Sequence, residues 1–484
     1  MSSGPPTLED ISKNLAEKRW GFVPDREVKL IHFVNGFFRE LSGRSGSPDL
    51  LHQAAAKFKA GKSRTTNDQF IQDARDHLDL SGQREDPEDV KDVRMALDLM
   101  LSQDKAVFPS GPYSFTATHW LHTSSDPSDR QTGRFMAQVL SSGSQGTEIV
   151  KSLRRLLDQP DDLYRLTAPL LDEKEMGSPP TPPDNGLIQS LTKQGRPLCL
   201  IQQAAERIEN HAQEMEKTAA LLRIATMGSF GVYLHMVNAT REALEEDRRA
   251  PLLLCNKPPS RSMREASRRT FTRARRRLKF AFEEELADEL ERRGEDDLEE
   301  NEYKTLMRGW LIQADQSEED RAEAEAMMDQ FLQSFSAERE GTDDVFQAFV
   351  RAATPTCLEA MGPNRPAACA IRLSTHGGLL GPFRGRGEKY YRPAPQFLDM
   401  LVAALLEPGE AIPATEFWKK AWQTFGILSG ARSRHDADQL RNWGIRQVST
   451  DALTENADAL HDHLTRLGHA QTYADGMTLI SVDQ

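Results

Sequence analysis

Pro251-Leu252-Leu253-Leu254-Cys255-Asn256-Lys257-Pro258-Pro259-Ser260 opens a stretch, ending at Arg293, from which the rest of the chain can be read. Its first five residues are apolar and predict a buried strand or an extended segment. Pro258 and Pro259 then break the chain, because neither continues a helix and each biases the preceding residue towards an extended conformation. A long amphipathic helix is predicted next. Phe271, Ala274, Leu278, Phe282, Leu286 and Leu290 recur every three or four residues, which places them on one buried stripe. The charges around that stripe divide by sign. Its first half carries Arg261, Arg264, Arg268, Arg269, Arg273, Arg275, Arg276, Arg277 and Lys279, with Glu265 as the one acid among them. The second half carries Glu283, Glu284, Glu285, Asp288, Glu289 and Glu291.

Composition sets the frame around this stretch. A chain of 484 residues exceeds the size at which one core stops growing, so two to four domains are expected. A net charge of -13 argues against nucleic acid binding over the whole surface, so a polyanion needs a local basic patch. Cys199, Cys255, Cys357 and Cys369 are widely spaced and form no Cys-x-x-Cys pair, which reads as small core residues in a reducing cytosol. The amino terminus is polar through Lys13, so no secretory signal is read. Apolar runs such as Met400 to Leu406 fall far short of the roughly 18 residues of a spanning helix. Abundant Ala, Leu, Glu, Arg and Gln favour helix. The expectation is a cytoplasmic, mainly α, multidomain helical protein with no membrane partner.

In chain order, Thr7 with Glu9 and Asp10 starts a first helix, and the apolar pattern continues to Leu41. Helices are predicted around Leu50–Ala60, Asn67–Leu80 and Asp86–Ser102. Gly177-Ser178-Pro179-Pro180-Thr181-Pro182-Pro183-Asp184-Asn185-Gly186 reads as a linker. It separates an N-terminal helical domain, 1–176, from a central helical domain, 187–365. Within the latter, Leu198 to Leu222 predicts one helix, with an interruption at Gly228-Ser229-Phe230-Gly231 and a resumption at Val232. Further helices are expected at Tyr303–Ala314, Glu318–Phe335 and Thr342–Ala353. In the last domain, 366–484, Ala368-Cys369-Ala370-Ile371-Arg372-Leu373 and Lys389-Tyr390-Tyr391-Arg392 read as strands. Helices are predicted at Pro395–Leu406, Ala414–Phe425, Asp436–Trp443 and Thr450–Leu467. Asp475-Gly476 then marks a two-residue hairpin. Three helices closed by a hairpin is the order of a winged helix, so a C-terminal winged-helix-like domain is expected.

No motif names a reaction. Gly61-Lys62-Ser63 has the end of a phosphate-binding loop, but Ala56 stands where the first glycine belongs. His119 and His122, with Asp126 and Asp129, have ligand chemistry, yet Pro127 works against the helix that would converge them. His461 and His463 point to opposite sides of a helix. Asp296, Asp297, Glu302 and Lys304 have the residue types of a nuclease set but lie in a helical, acidic run. No catalytic residue, metal or cofactor is therefore predicted. The basic helix is the functional signal. Arg268, Arg269, Arg273, Arg276 and Arg277 are predicted to take phosphate oxygens, for which guanidinium is suited. The alternative is a solvated face paired with acidic neighbours. Arg384, Arg386 and Lys389 form a second candidate, flanking tyrosines on which a base could stack; the alternative is a strand with packed tyrosines. In the winged-helix-like domain Asp451, Glu455, Asp458 and Asp462 oppose Arg466 alone, and only Asn456 suits base reading. That module is expected to bind protein.

Trp422-Gln423-Thr424-Phe425-Gly426-Ile427-Leu428-Ser429-Gly430, followed by a helix and the Asp475-Gly476 hairpin, resembles poorly characterised accessory proteins of bacterial anti-phage defence gene clusters. The resemblance covers the final quarter and carries no catalytic motif. It implies assembly with DNA-handling partners. The functional expectation is a non-catalytic scaffold or adaptor subunit of a DNA-associated complex, with other protein subunits and DNA as partners. The alternatives are an adaptor that touches only protein, and a nuclease subunit.

Overall fold

The apolar stripe does what its spacing requires: in the computed structural model one helix runs from Arg261 to Arg293. Phe271, Ala274, Leu278, Phe282, Leu286 and Leu290 are all buried along it. Ser260 starts this helix by accepting a hydrogen bond from the Met263 amide (3.2 Å). The structure describes residues 6–41, 119, 129, 131–143, 146–160, 186–212, 215–245, 248–256, 260–313, 316–362, 365–382, 387–446, 448–474 and 476–482. The helices predicted around Leu50–Ala60, Asn67–Leu80 and Asp86–Ser102 lie outside them, as do Gly61-Lys62-Ser63, residues 177–185 of the linker, His122, Asp126, Arg384 and Arg386. The described chain is mainly helical, with seven short strands.

Packing groups the chain into two units that do not follow the linear division 1–176, 187–365 and 366–484. One unit takes described residues from Met1–Glu27, His235–Ala250 and Thr272–Ile371, and the other from Val28–Leu234, Pro251–Phe271 and Arg372–Gln484. The long helix contributes Arg261–Phe271 to the second unit and Thr272–Arg293 to the first.

The first unit contains the helices Leu8–Trp20, Glu300–Leu311, Glu318–Gly341 and Val345–Ala360. Thr7 and Asp10 form a reciprocal capping box at the first. Ser317 and Asp344 cap the last two through the amides of Asp320 and Gln347. Its core is aromatic: Tyr303 stacks on Phe349 with centroids 4.5 Å apart, and Phe331 meets the same ring edge-on at 5.7 Å.

In the second unit, Leu30–Leu41 crosses Thr132–Ser141 closely enough that a Cβ on Gly133 would meet the Phe33 carbonyl at 2.5 Å. Lys217–Val237 runs without a break through Gly228-Ser229-Phe230-Gly231, contrary to the predicted interruption. These glycines admit neighbours instead of ending the helix. A Cβ on Gly228 would touch Phe33 and Phe37, and one on Gly231 would touch Ile201 and Met136, all at 3.0–3.1 Å. The break falls earlier, after the helix Pro197–Ala212. Lys217–Val237 is, among the described residues, the one helix long and apolar enough to cross a membrane, and 94% of its apolar window is buried by protein.

Ala368–Leu373 is not a strand but part of the helix Pro366–His376. Pro366 suits a first helical position, and burial at residues 366, 369, 370, 373 and 374 follows the helical period. The strands are short. Leu252–Leu253 pairs in parallel with Ile427–Leu428, and Leu380–Gly381 pairs antiparallel with Tyr390–Tyr391. Towards the carboxy terminus the helices Ala414–Phe425, Ser433–Asn442 and Thr450–Arg466 are followed by the antiparallel pair Ala470–Thr472 and Thr478–Ser481. The latter strand also pairs with Ala411–Pro413, just before the first of those helices. Three strands, Leu380–Gly381, Ala411–Pro413 and Ile427–Leu428, were not expected from the sequence.

Candidate nucleic-acid interface

The start of the long helix is anchored from beneath by its own small residues. The buried Ser267 hydroxyl donates to the Leu253 carbonyl (2.7 Å) and accepts from the Tyr391 amide (3.0 Å). Phe271 packs edge-on against Tyr391 with centroids 5.9 Å apart. Met263, Ala266 and Cys255 join the same buried cluster with Tyr390 and Leu428. Burial pushes the Cys255 thiol up to about 12, as fits a core residue. With one side held inward, the other side of the first three turns faces outward and carries the arginines.

That outward side lines a cleft of about 1060 Å³. Arg261, Arg264, Arg268, Arg269 and Arg392 line it against Glu265 and Glu388, so the cation excess is three. Arg268 makes a two-pronged contact with Glu265 through Nε and Nη2 (2.8 and 2.7 Å), and its Nη1 reaches Glu388 at 3.1 Å. Arg269 Nε also donates to Glu265 (2.9 Å). Hydrogen bonds first from Arg268 and then from Arg269 hold the Glu265 carboxyl down at about 2. The guanidinium of Arg264 lies over the Tyr390 ring, 6.0 Å from its centroid. Among the described residues Arg261, Arg264 and Arg392 make no ion pair. Arg261 and Ser262, in the first turn of the helix, also line this cleft, and a helix N-terminus favours an anion.

The predicted phosphate ligands separate in the structure. Arg268 and Arg269 line the cleft, both tied to Glu265. Arg276 is exposed and Arg273 half-buried further along the helix. Arg277 departs from the prediction: it is 4% exposed, donates to the Thr240 hydroxyl (2.6 Å) and faces Glu242 at 3.7 Å. Its position, roughly 100 degrees around from Arg276, turns it to the protein side. Lys389 bends back to donate to the Pro382 carbonyl. The tyrosines between the basic residues offer no face to a base, since Tyr390 is 7% and Tyr391 0% exposed. Tyr391 instead shares a buried hydroxyl hydrogen bond of 2.6 Å with Tyr233. Arg261, Arg264 and Arg392 were not among the predicted contacts. Spacing from Arg268 was the available signal for the first two, at three- and four-residue steps on one face.

Most acids of the second half of the helix are paired within the protein. Glu289 binds Lys18 (2.9 Å), Arg292 and Arg293. Burial pushes its carboxyl up, but Lys18 and Arg293 outweigh that and hold it below the ordinary range. Arg19, only 10% exposed at its side chain, pairs with Glu284 and faces Glu285 at 3.8 Å, while Arg241 pairs with Asp288. Arg292 also reaches Glu285 at 3.0 Å.

Asn456 is buried; its amide donates to the Leu254 and Ser429 carbonyls (2.9 and 2.7 Å) and accepts from the Asn256 amide (3.0 Å). It clamps chain segments and has nothing left for a base. Asp451, Glu455, Asp458 and Asp462 are all exposed on its helix. His119 and Asp129 are both buried, and Asp129 accepts from the Gly133 amide at 3.0 Å. His461 accepts from the Trp418 indole (2.9 Å). Among the described residues, no three His, Cys, Asp or Glu side chains converge on a point that could hold a metal ion. Compared with known proteins, the chain matches no family model, no curated protein and no solved structure.

Proposed function

We propose that the chain is a non-catalytic adaptor subunit that binds the phosphate backbone of nucleic acid through the arginine-lined cleft. The observation that carries this reading is the cleft's excess of arginine, with Arg261, Arg264 and Arg392 making no ion pair among the described residues and the helix N-terminus opening beside them. Guanidinium groups take phosphate oxygens in pairs, and a cleft concentrates their field where the chain as a whole is acidic. Such contacts position a duplex without reading its sequence, which suits a subunit that leaves sequence choice to its partners.

The carboxy-terminal module is read as winged-helix-like, with its exposed acidic helix turned to a basic protein surface and not to DNA, since phosphate is repelled there. The resemblance of the final quarter to accessory proteins of anti-phage defence clusters suits such a cytoplasmic subunit, acting within a larger DNA-handling assembly.

Gel retardation of non-specific duplex by the full chain tests the reading. The variant Arg261→Glu/Arg264→Glu alters two exposed side chains, and acid in a first helical turn favours the helix dipole, so melting temperature should hold. Binding is expected to fall at least tenfold. Retention of parental affinity would mean that the arginines dock an acidic protein surface instead.

A further inference from the structure

Phe280 stands outside the stripe that buries the other large apolar residues of its helix. Positions 278 and 282 lie roughly 200 degrees around the axis from it, and both are buried. Phe280 is 52% exposed, and among the described residues of its unit it is the one large apolar side chain that is exposed. Its neighbours before it on that face are cations, while Glu283 and Glu284, three and four residues after it, pair with Arg351 and Arg19. Arg276 and Arg273 precede Phe280 by four and seven residues, one helical turn and two, so the three side chains are stacked along one line. Arg275 and Lys279 lie to one side of the line and are exposed. Among the described residues Arg273, Arg275 and Arg276 make no ion pair, while Lys279 lies near the half-buried Glu283.

A solitary exposed ring lacks the surrounding apolar area from which protein interfaces build a buried anchor. A ring beside two guanidinium groups matches a different chemistry, that of a strand whose bases have flat faces and whose backbone is anionic. Arg276 and Phe280 are separated by about 6 Å along the helix axis. A base lying on the ring would therefore keep its own phosphate within reach of Arg276. In a duplex every base face is already covered by its neighbours, so only an unpaired strand can present one.

We propose that the face formed by Arg273, Arg276 and Phe280 binds single-stranded nucleic acid, with Phe280 stacking on one base while Arg273 and Arg276 hold the adjoining phosphates. The inference rests on the reading of the chain as a nucleic-acid-binding subunit. It adds a preference for unpaired strand, such as a DNA-handling assembly exposes when it opens a duplex.

Fluorescence anisotropy with the full chain tests it, using an oligothymidine strand and a duplex of equal length as probes. Phe280→Ala is expected to weaken strand binding roughly tenfold, the loss of one stacked base, and to leave duplex binding unchanged. Phe280→Trp should restore strand binding, and the added indole emission should be quenched by the strand and not by the duplex. Thermal melting of both variants should match the parent, because the position is exposed. Parental strand affinity in Phe280→Ala overturns the stacking role, and an equal loss on strand and duplex overturns the preference. If the parent binds neither probe, the nucleic-acid reading itself fails and this inference falls with it.

Discussion

The two halves of the helix Arg261–Arg293 carry similar densities of charge and put them to opposite uses. In the acidic half, Glu284, Glu285, Asp288 and Glu289 are matched by Lys18, Arg19, Arg241, Arg292 and Arg293. In the basic half, Glu265 binds Arg268 and Arg269, Arg277 turns inward, and Arg261, Arg264, Arg273, Arg275 and Arg276 are left without ion pairs among the described residues. Charge density alone therefore does not mark a binding surface. The proposed binding surface rests instead on arginines that make no ion pair among the described residues.

Arg19 carries the largest expected effect. Its side chain is largely buried between Glu284 and Glu285, and burial lowers its pKa while those carboxylates raise it. Arg19→Ala leaves these carboxylates without their shared partner and is expected to destabilise the fold by about 3 kcal/mol, the low end for breaking a buried pair. Chemical denaturation measures this. Nucleic acid affinity of the folded fraction should not change, and a drop in affinity with no loss of stability would erase the distinction between the halves.

Glu265 gives the opposite and smaller effect. Its side chain is about a third exposed, so its pairs with Arg268 and Arg269 are screened by solvent and add little to stability. Because its carboxyl is held down at about 2, whatever it contributes is fully present above its ordinary value near 4.5 and is lost as pH falls towards 2. At neutral pH, Glu265→Gln should release both arginines and tighten duplex binding by about twofold to fivefold, with stability nearly unchanged. Weaker binding in this variant would show that Glu265 orients the arginines and does not compete for them.

Much of this helix was legible in the sequence, because the stripe from Phe271 to Leu290 repeats over many turns and no other period fits it. Short patterns were less decisive. Six residues from Ala368 to Leu373, apolar except for Arg372, read as a short strand, yet burial at residues 366, 369, 370, 373 and 374 shows the helix once its ends are included. Gly228 and Gly231 were read as punctuation because their packing partners, Phe33, Phe37, Ile201 and Met136, are distant in sequence. The cleft was half legible. Local spacing marks the arginines of the helix, but Arg392 joins them only through strand pairing, and Thr240 and Glu242 draw Arg277 away from them. Long-range partners decide which charges remain available, and periodicity does not record them.

Salt dependence tests the availability of those charges most directly. Each phosphate neutralised contributes roughly -0.9 to the slope of log affinity against log salt on duplex DNA. With the cleft's cation excess of three meeting phosphates, the full chain should show a slope of about -3. Arg261→Gln/Arg264→Gln should reduce that slope in magnitude by roughly two contacts' worth while leaving the melting temperature unchanged. A parental slope near zero, or a slope that the double substitution does not alter, would contradict phosphate binding in the cleft.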